Sequence, residues 1–236
     1  MARPLVIAHR GASSVAPENT LVAFRSAMEQ GADGVEMDIH LSRDGVPMVI
    51  HDPLLLRTTG TRGRVAEKSA RELKELDAGR YFNPKFAGER IPTLEEVARE
   101  VPGRLFVEVK DSPRSVPAVL RTLKEAGALG RATVISFHPL ILRQAAKLPT
   151  GLLLADESPN FLKRPLGWRL SKARAIAPFY TLANGMMETA KRRGLPVYPW
   201  TVDSLGIGRS LMERGASGLI TNRPGRMVKL RDEMGL

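Results

Sequence analysis

A closed barrel of alternating parallel strands and helices is the fold this sequence predicts, on three observations. Short runs of four to six Val, Ile and Leu residues recur from end to end, as strands covered on both faces require. Amphipathic helical segments with short connections separate them, the pattern of parallel strand–helix units. About eight such units fit into the 236 residues, which suits closure into a barrel better than an open, doubly wound sheet.

The first strand is predicted over 5–8. Leu21, Val22, Phe24, Ala27 and Met28 then share one helical face, and Gly31 supplies the C-terminal stop. Apolar runs predict strands over 35–41 and 46–50. From Pro53 to Pro92 the rhythm breaks into one capped helix, several Gly and Arg residues and the pair Tyr81-Phe82, which predicts an insertion on one end of the barrel. Ser69-Ala70-Arg71-Glu72 and Thr93-Leu94-Glu95-Glu96 match the capping box, in which hydroxyl and carboxylate satisfy helix-end amides reciprocally, so Glu72 and Glu96 have structural work. Further strands are predicted over 105–109, 133–137, 151–155, 173–177, 197–202 and 218–221. No repeat or linker divides the chain, and one domain over 1–236 is expected.

Hydrophobic residues make up 43% of the chain, enough for a sizeable core and too many for a disordered one. No apolar run reaches about 18 residues, so no membrane span is expected, and the N-terminus is too short in apolar residues for a secretory leader. Without cysteine there is no disulfide framework, thiolate metal site or thiol nucleophile. A reducing, cytoplasmic setting fits. The net charge of +11 sits wholly in the second half: residues 1–118 carry 17 basic and 17 acidic side chains, residues 119–236 carry 19 and 8. That asymmetry fits either an anionic partner or a solvated basic face. Within 161–170, Lys163, Arg164 and Arg169 interleave with large apolar residues. The stretch either rests on an anionic membrane or packs Phe161, Leu166 and Leu170 on the barrel; Pro165 and Gly167 weaken an amphipathic helix and favour packing.

The chemistry gathers at the C-terminal ends of the early strands, the face on which parallel barrels build active sites. The first ends in His9-Arg10-Gly11-Ala12. The second carries Glu36-Met37-Asp38-Ile39-His40, where residues two apart share a face, so Glu36 and Asp38 point one way. The 46–50 run delivers His51-Asp52. In 105–110, Glu108 and Lys110 share a face. Carboxylates facing a barrel interior need a cation or a proton. Three of them form an oxygen-rich site for a hard divalent cation, Mg²⁺ or Ca²⁺ with Mn²⁺ a third candidate, rather than zinc. Taken singly, each residue also has a bland reading: a hydrogen-bonded strand-end histidine, or a buried Glu108–Lys110 pair. Their coincidence at adjacent strand ends favours a site.

The order Ile7-Ala8-His9-Arg10-Gly11-Ala12, Ala16-Pro17-Glu18-Asn19-Thr20, Gly34-Val35-Glu36-Met37-Asp38-Ile39-His40 and Val49-Ile50-His51-Asp52 resembles the glycerophosphodiester phosphodiesterase family. Asp77-Ala78-Gly79, the stretch from Gly88 to Glu96, Phe106 to Lys110, Ser136-Phe137 and Trp200-Thr201-Val202-Asp203 extend the likeness nearly end to end. The resemblance implies a TIM (β/α)8 barrel with a small insertion, here about 53–92. It also implies metal-dependent hydrolysis of glycerophosphodiesters, such as glycerophosphocholine or glycerophosphoethanolamine, to sn-glycerol 3-phosphate and an alcohol. By the same resemblance His9 and His51 are the acid/base pair, Glu36, Asp38 and Glu108 hold the metal, and Arg10 and Lys110 face the phosphate. Two departures fall late: Trp-Thr-Val-Asp where the family usually has Asn (Asp203), and Ile-Thr-Asn where it usually has Asp (Asn222).

Of the remaining candidates, Trp200 either packs on substrate carbon or belongs to the core. His40 is in phase with Asp38 and fits a supporting role behind the metal ligands, His138 reads as a loop residue, and Asn19 and Thr20 as caps of the first helix. The expected partner is a small-molecule phosphodiester, without nucleic acid, and membrane contact is not favoured; nothing in the sequence specifies an oligomeric state. The rivals are a lysophospholipase D-type enzyme acting on acylated substrates and a non-catalytic anion- or nucleic-acid-binding protein. No nucleic-acid motif supports the last.

Overall fold

A computed structural model describes residues 3–155, 158, 160, 162, 163 and 165–236. Its strands are β1 (Leu5–His9), β2 (Gly34–Leu41), β3 (Pro47–Val49), β4 (Arg104–Val109), β5 (Ala132–Ser136), β6 (Thr150–Leu154), β7 (Ala175–Pro178) and β8 (Gly218–Thr221). The helices are α1 (Leu21–Glu29), α2 (Leu56–Thr59), α3 (Ala70–Lys74), α4 (Leu94–Glu100), α5 (Val116–Glu125), α6 (Pro139–Gln144), α7 (Pro165–Leu170), α8 (Tyr180–Arg192), α9 (Leu205–Glu213) and α10 (Pro224–Glu233). Among the described residues no helix is long and apolar enough to cross a membrane.

Seven strands are parallel, in the order β7-β6-β5-β4-β2-β1-β8. Residues 197–202 stand between the two ends of that order. Tyr198 N and Trp200 N donate to Ile176 O and Pro178 O of β7, while Ser217 N, Ile220 N and Val202 N link the same segment to β8. The predicted 197–202 strand thus closes the ring as its eighth stave. Pro199 interrupts its ladder because it has no N–H to give.

The 46–50 run is extended but is not a stave. A turn with Gly45 in the left-handed region (φ 79°) sends β3 back antiparallel along β2, pairing Ile39 with Val49 and Leu41 with Pro47. The excursion from the barrel therefore starts at residue 42, ahead of the expected 53. It has its own apolar cluster, built from Met48, Ile50, Leu55, Val65, Leu73, Ala78 and Ile91. The expected capping boxes form at Ser69 and Thr93.

Two apolar layers lie between staves and helices. A third fills the barrel with Ile7, Phe106, Ile135, Leu153, Ala177 and Ile220. Side chains alternate along a strand, so the residues two further on, His9, Glu108, Phe137 and Asn222 among them, form the next layer toward the C-terminal ends. That alternation positions the site. Around α7 the packing differs from the expected one: Trp168 and, ahead of the helix, Leu162 are buried, whereas Leu166 and Leu170, four apart on one helical face, are exposed. Phe161 and Arg164 lie outside the described residues.

The chain ends are tied by a buried guanidinium. Arg231 of α10 is fully buried, donates to Pro4 O at 3.2 Å and pairs with Asp33, whose carboxylate also accepts from Val6 N at 2.7 Å. Burial works against the Asp33 charge, yet the Val6 amide and Arg231 hold its carboxyl below the ordinary value. Asp33→Ala strands a buried cation and is expected to cost about 3 kcal/mol, read as a lower urea midpoint; an unchanged midpoint would contradict the pairing.

Candidate active site

β1 delivers His9 to the mouth of the barrel and then turns sharply. Arg10 (φ 55°) and Gly11 (φ 85°) both adopt left-handed backbone, and a Cβ on Gly11 would lie 2.7 Å from the Ala23 backbone. The turn points Arg10 N at Glu36 Oε2, 3.1 Å away. Strand register sets His9 beside Glu36 and Asp38 beside Glu108. All three carboxylates are buried, and each offers an oxygen within 4.8 Å of the others.

Three carboxyl groups here meet two cations. Arg10 Nε lies 3.2 Å from Asp38 Oδ2, and Lys110 Nζ lies 3.3 Å from Asp38 Oδ1 and 2.9 Å from Glu108 Oε1. Asp38 is favoured as the anion: burial opposes its charge, but Arg10, Lys110 and His51 outweigh it and hold the carboxyl below the ordinary range. Glu36 goes the other way, pushed well up by burial and by Asp38 and Glu108. Glu108 is pushed up to about 7 by burial and Asp38. Asp38 Oδ1 is buried without a hydrogen bond, Lys110 being close but poorly aligned. A surplus of buried carboxylate and an orphaned acceptor fit a hard divalent cation, which takes oxygen ligands.

Asn19 completes the Asp38 surroundings. It is buried, donates from Nδ2 to Asp38 Oδ2 at 2.8 Å, and holds left-handed backbone (φ 57°), which asparagine tolerates. The expected helix-capping role belongs to Thr20 alone, which accepts from Ala23 N; Asn19 is spent on the site. Asn19→Ala removes that donor and strains the turn, and is expected to lower stability by about 1–3 kcal/mol in urea unfolding. No measurable loss would contradict this.

Both candidate histidines are held by one ring nitrogen. His9 Nδ1 meets Asn222 Oδ1 at 2.7 Å, and its Nε2 lies 3.9 Å from Glu36 Oε2. Burial, reinforced by the Arg10 charge, lowers its pKa to about 4. His51 Nδ1 meets Asp52 Oδ1 at 2.6 Å; burial depresses its pKa, with Asp38 opposing. His40 is different. Its ring nitrogens face Asp111 and His51 O, both acceptors, and despite burial the Asp111 carboxylate raises its pKa. It braces the backbone that presents His51.

Three polar partnerships join residues far apart in the chain or in different elements. Arg57 of α2 grips Glu18 with two hydrogen bonds (2.8 and 2.7 Å) and Asp52 with a third, and Glu18 also accepts from Arg10 at 3.1 Å. The insertion is thereby tied to the barrel mouth. Asp111 anchors His40, and Asp203 anchors Asn222. Glu18 and Asp203 lie in stretches that carry the family resemblance, whereas Arg57 and Asp111 lie in none.

The site opens into a cavity of about 670 Å³. One wall carries His9, Arg10, Glu36, His51, Glu108 and Lys110; the other is apolar, with Ile135, Phe137, Leu153, Leu162, Trp200 and Ile220. His138, at the start of α6, also lines it. Trp200 is both cavity wall and core: its Nε1 donates to Ala177 O at 2.7 Å, and its ring lies edge-on to Phe137 and Phe179.

Known proteins share this arrangement of sequence and fold. The model of the Glycerophosphoryl diester phosphodiesterase family matches residues 9–226. A glycerophosphodiester phosphodiesterase of Caldanaerobacter subterraneus subsp. tengcongensis is 37% identical over 239 residues, covering 97% of this chain and 98% of that protein. The structure of an Oleispira antarctica phosphodiesterase in complex with the product sn-glycerol-3-phosphate superposes with a TM-score of 0.88 at 28% identity, covering 97% of each chain. That of a glycerophosphodiester phosphodiesterase from Thermotoga maritima gives 0.82 at 27% identity, covering 98% of this chain and 99% of that one. With 218 consecutive positions matched and the barrel shared, the chain belongs to the glycerophosphoryl diester phosphodiesterase family.

Proposed function

We propose that this protein hydrolyses glycerophosphodiesters, glycerophosphocholine and glycerophosphoethanolamine among them, to sn-glycerol 3-phosphate and the free alcohol. The observation that carries the proposal is a cluster of three buried carboxylates, two of which, Glu36 and Glu108, line one cavity together with Arg10, Lys110, His9 and His51. Glu36, Asp38 and Glu108 would hold one divalent cation, Mg²⁺ or Ca²⁺ before Mn²⁺. A cation held there would supply positive charge against that building on the phosphoryl oxygens.

The side chains do the rest. Arg10, steadied by Glu18 and Asp38, and Lys110, steadied by Asp38 and Glu108, bind the phosphate oxygens. Trp200 packs against substrate carbon. His9 rests on a neutral amide and is the base: it takes the proton of the attacking oxygen, that of water or of glycerol's neighbouring hydroxyl, as that oxygen bonds to phosphorus; where glycerol attacks, water then opens the cyclic phosphate to glycerol 3-phosphate. His51 rests on the Asp52 carboxylate, which supports its imidazolium, and is the acid. It gives its proton to the alcohol oxygen as the bond to phosphorus breaks. The chain works as one domain, with residues 42–92 as one rim of the site, on a small molecule rather than nucleic acid, and in the cytoplasm.

The apolar wall favours a second reading, in which an acylated glycerophospholipid lays its chain along Phe137, Leu162 and Trp200. Product identification separates the two. From glycerophosphocholine, glycerol 3-phosphate and choline are expected; phosphocholine would place the cut on the wrong ester bond. Turnover of lysophosphatidylcholine with none of glycerophosphocholine would transfer the assignment to the acylated class.

A further inference from the structure

We propose that Asp203, acting through the amide of Asn222, locks the neutral His9 ring in the tautomer that carries its proton on Nδ1 and leaves Nε2 bare toward Glu36 and the cavity. The inference starts from donor and acceptor inventories. A carboxylate only accepts. Asp203 Oδ1 accepts from Asn222 N at 2.8 Å and from Thr221 Oγ1 at 3.0 Å, and its Oδ2 accepts from Asn222 Nδ2 at 2.7 Å. These bonds decide which way round the Asn222 amide stands: its NH₂ must face Asp203, so its oxygen faces His9.

That oxygen, also an acceptor only, lies 2.7 Å from His9 Nδ1. The ring nitrogen must therefore donate. The Ser13 hydroxyl lies 2.9 Å from the same oxygen and 2.8 Å from His9 O; its single hydrogen goes to one or the other without altering what the ring does. The direction of every bond from Asp203 to His9 is thus set by one carboxylate that does not itself reach the imidazole.

Asp203 and Asn222 are also the two late positions at which the resemblance implies the reciprocal pair, Asn and Asp. Their side chains are in contact. Exchanging both keeps one group that accepts from His9 and one that faces it from behind, so the pair compensates, whereas a single exchange does not. Asp203 and Asn222 are positioning residues; neither needs to touch substrate. In Asp203→Asn the partner of Asn222 gains donors, and Asn222 is free to turn its NH₂ to His9 Nδ1. The proton then moves to Nε2, and the lone pair that faces the cavity is lost.

The test is nitrogen NMR of the full-length, Mg²⁺-loaded protein with ¹⁵N-labelled histidine above neutral pH, together with steady-state kinetics. Expected in the parent is a pyrrole-type His9 Nδ1 and a pyridine-type Nε2. Asp203→Asn is expected to shift both toward the other tautomer and to lower kcat about 100-fold with KM unchanged. The double exchange Asp203→Asn with Asn222→Asp is expected to recover both the spectrum and most of kcat. A pyridine-type Nδ1 in the parent overturns the proposal, as does a single variant with parental kcat and spectrum, or a double exchange no better than the single. The parental spectrum decides even if Asp203→Asn fails to fold. The kinetic arm rests on His9 serving as the base in phosphodiester hydrolysis; should the parent turn over no phosphodiester, that reading fails while the spectrum still tests the tautomer.

Discussion

Glu36→Gln is expected to abolish cation-dependent activity and to leave the metal-free protein at least as stable as the parent. The two effects have one origin. Glu36, Asp38 and Glu108 crowd three carboxylates against Arg10 and Lys110, and burial leaves the surplus charge unscreened. Glutamine keeps an acceptor for Arg10 N but carries no charge, so repulsion falls while one anionic ligand is lost. The loss of turnover should exceed about 100-fold, corresponding to about 3 kcal/mol or more of transition-state stabilisation. Calorimetry checks the second effect: Mg²⁺ or Ca²⁺ should raise the parental Tm and leave that of the variant unmoved. An undiminished rise in Glu36→Gln would remove this carboxylate from the cation site. The same crowding has a pH signature in the stripped protein. Glu108 is raised from 4.5 to about 7, so the folded state holds its proton more tightly. Stability from that group is present below pH 4.5 and lost as the pH rises through 7. Stripped protein should therefore lose stability across that window, and the loss should shrink with the cation bound.

The second large effect is at the histidines. His9→Ala and His51→Ala should each lower kcat by about 10²- to 10⁴-fold, with the cation-dependent rise in Tm retained because neither ring is assigned as a ligand. The two variants should part company on leaving group. A glycerophosphodiester of p-nitrophenol expels an anion that needs no proton, so His51→Ala should recover much of its activity on that substrate while His9→Ala should not. Equal defects on both substrates would contradict the division into base and acid.

What the chain reveals and hides at this site follows from distance along it. The period of two in Glu36-Met37-Asp38 and in Glu108-Val109-Lys110 is local, and it alone puts Glu36 with Asp38 and Glu108 with Lys110 on one face of their strands. The strand ends that carry His9 and His51 were equally legible from their apolar runs. The supports of those residues were not, because they come from elsewhere in the ring. Asn222 lies 213 residues from His9, Asp111 lies 71 from His40, and Glu18 lies 39 from Arg57. No spacing rule spans such gaps; they are set by closure of the barrel and by the fold of the insertion. The reading of 46–50 shows a different limit. A short apolar run looks the same in a parallel stave as in an antiparallel hairpin, and the turn at Gly45 is what sends β3 back along β2. In α7 the expected inner face was that of Leu166 and Leu170, but the larger Trp168 holds the inner position and both leucines are exposed.

The most direct single measurement is the release of sn-glycerol 3-phosphate from glycerophosphocholine by protein stripped of metal and then titrated with Mg²⁺ or Ca²⁺. No release is expected from the stripped protein, and full activity after about one ion per chain. Undiminished release in excess chelator would contradict a cation-dependent site on Glu36, Asp38 and Glu108.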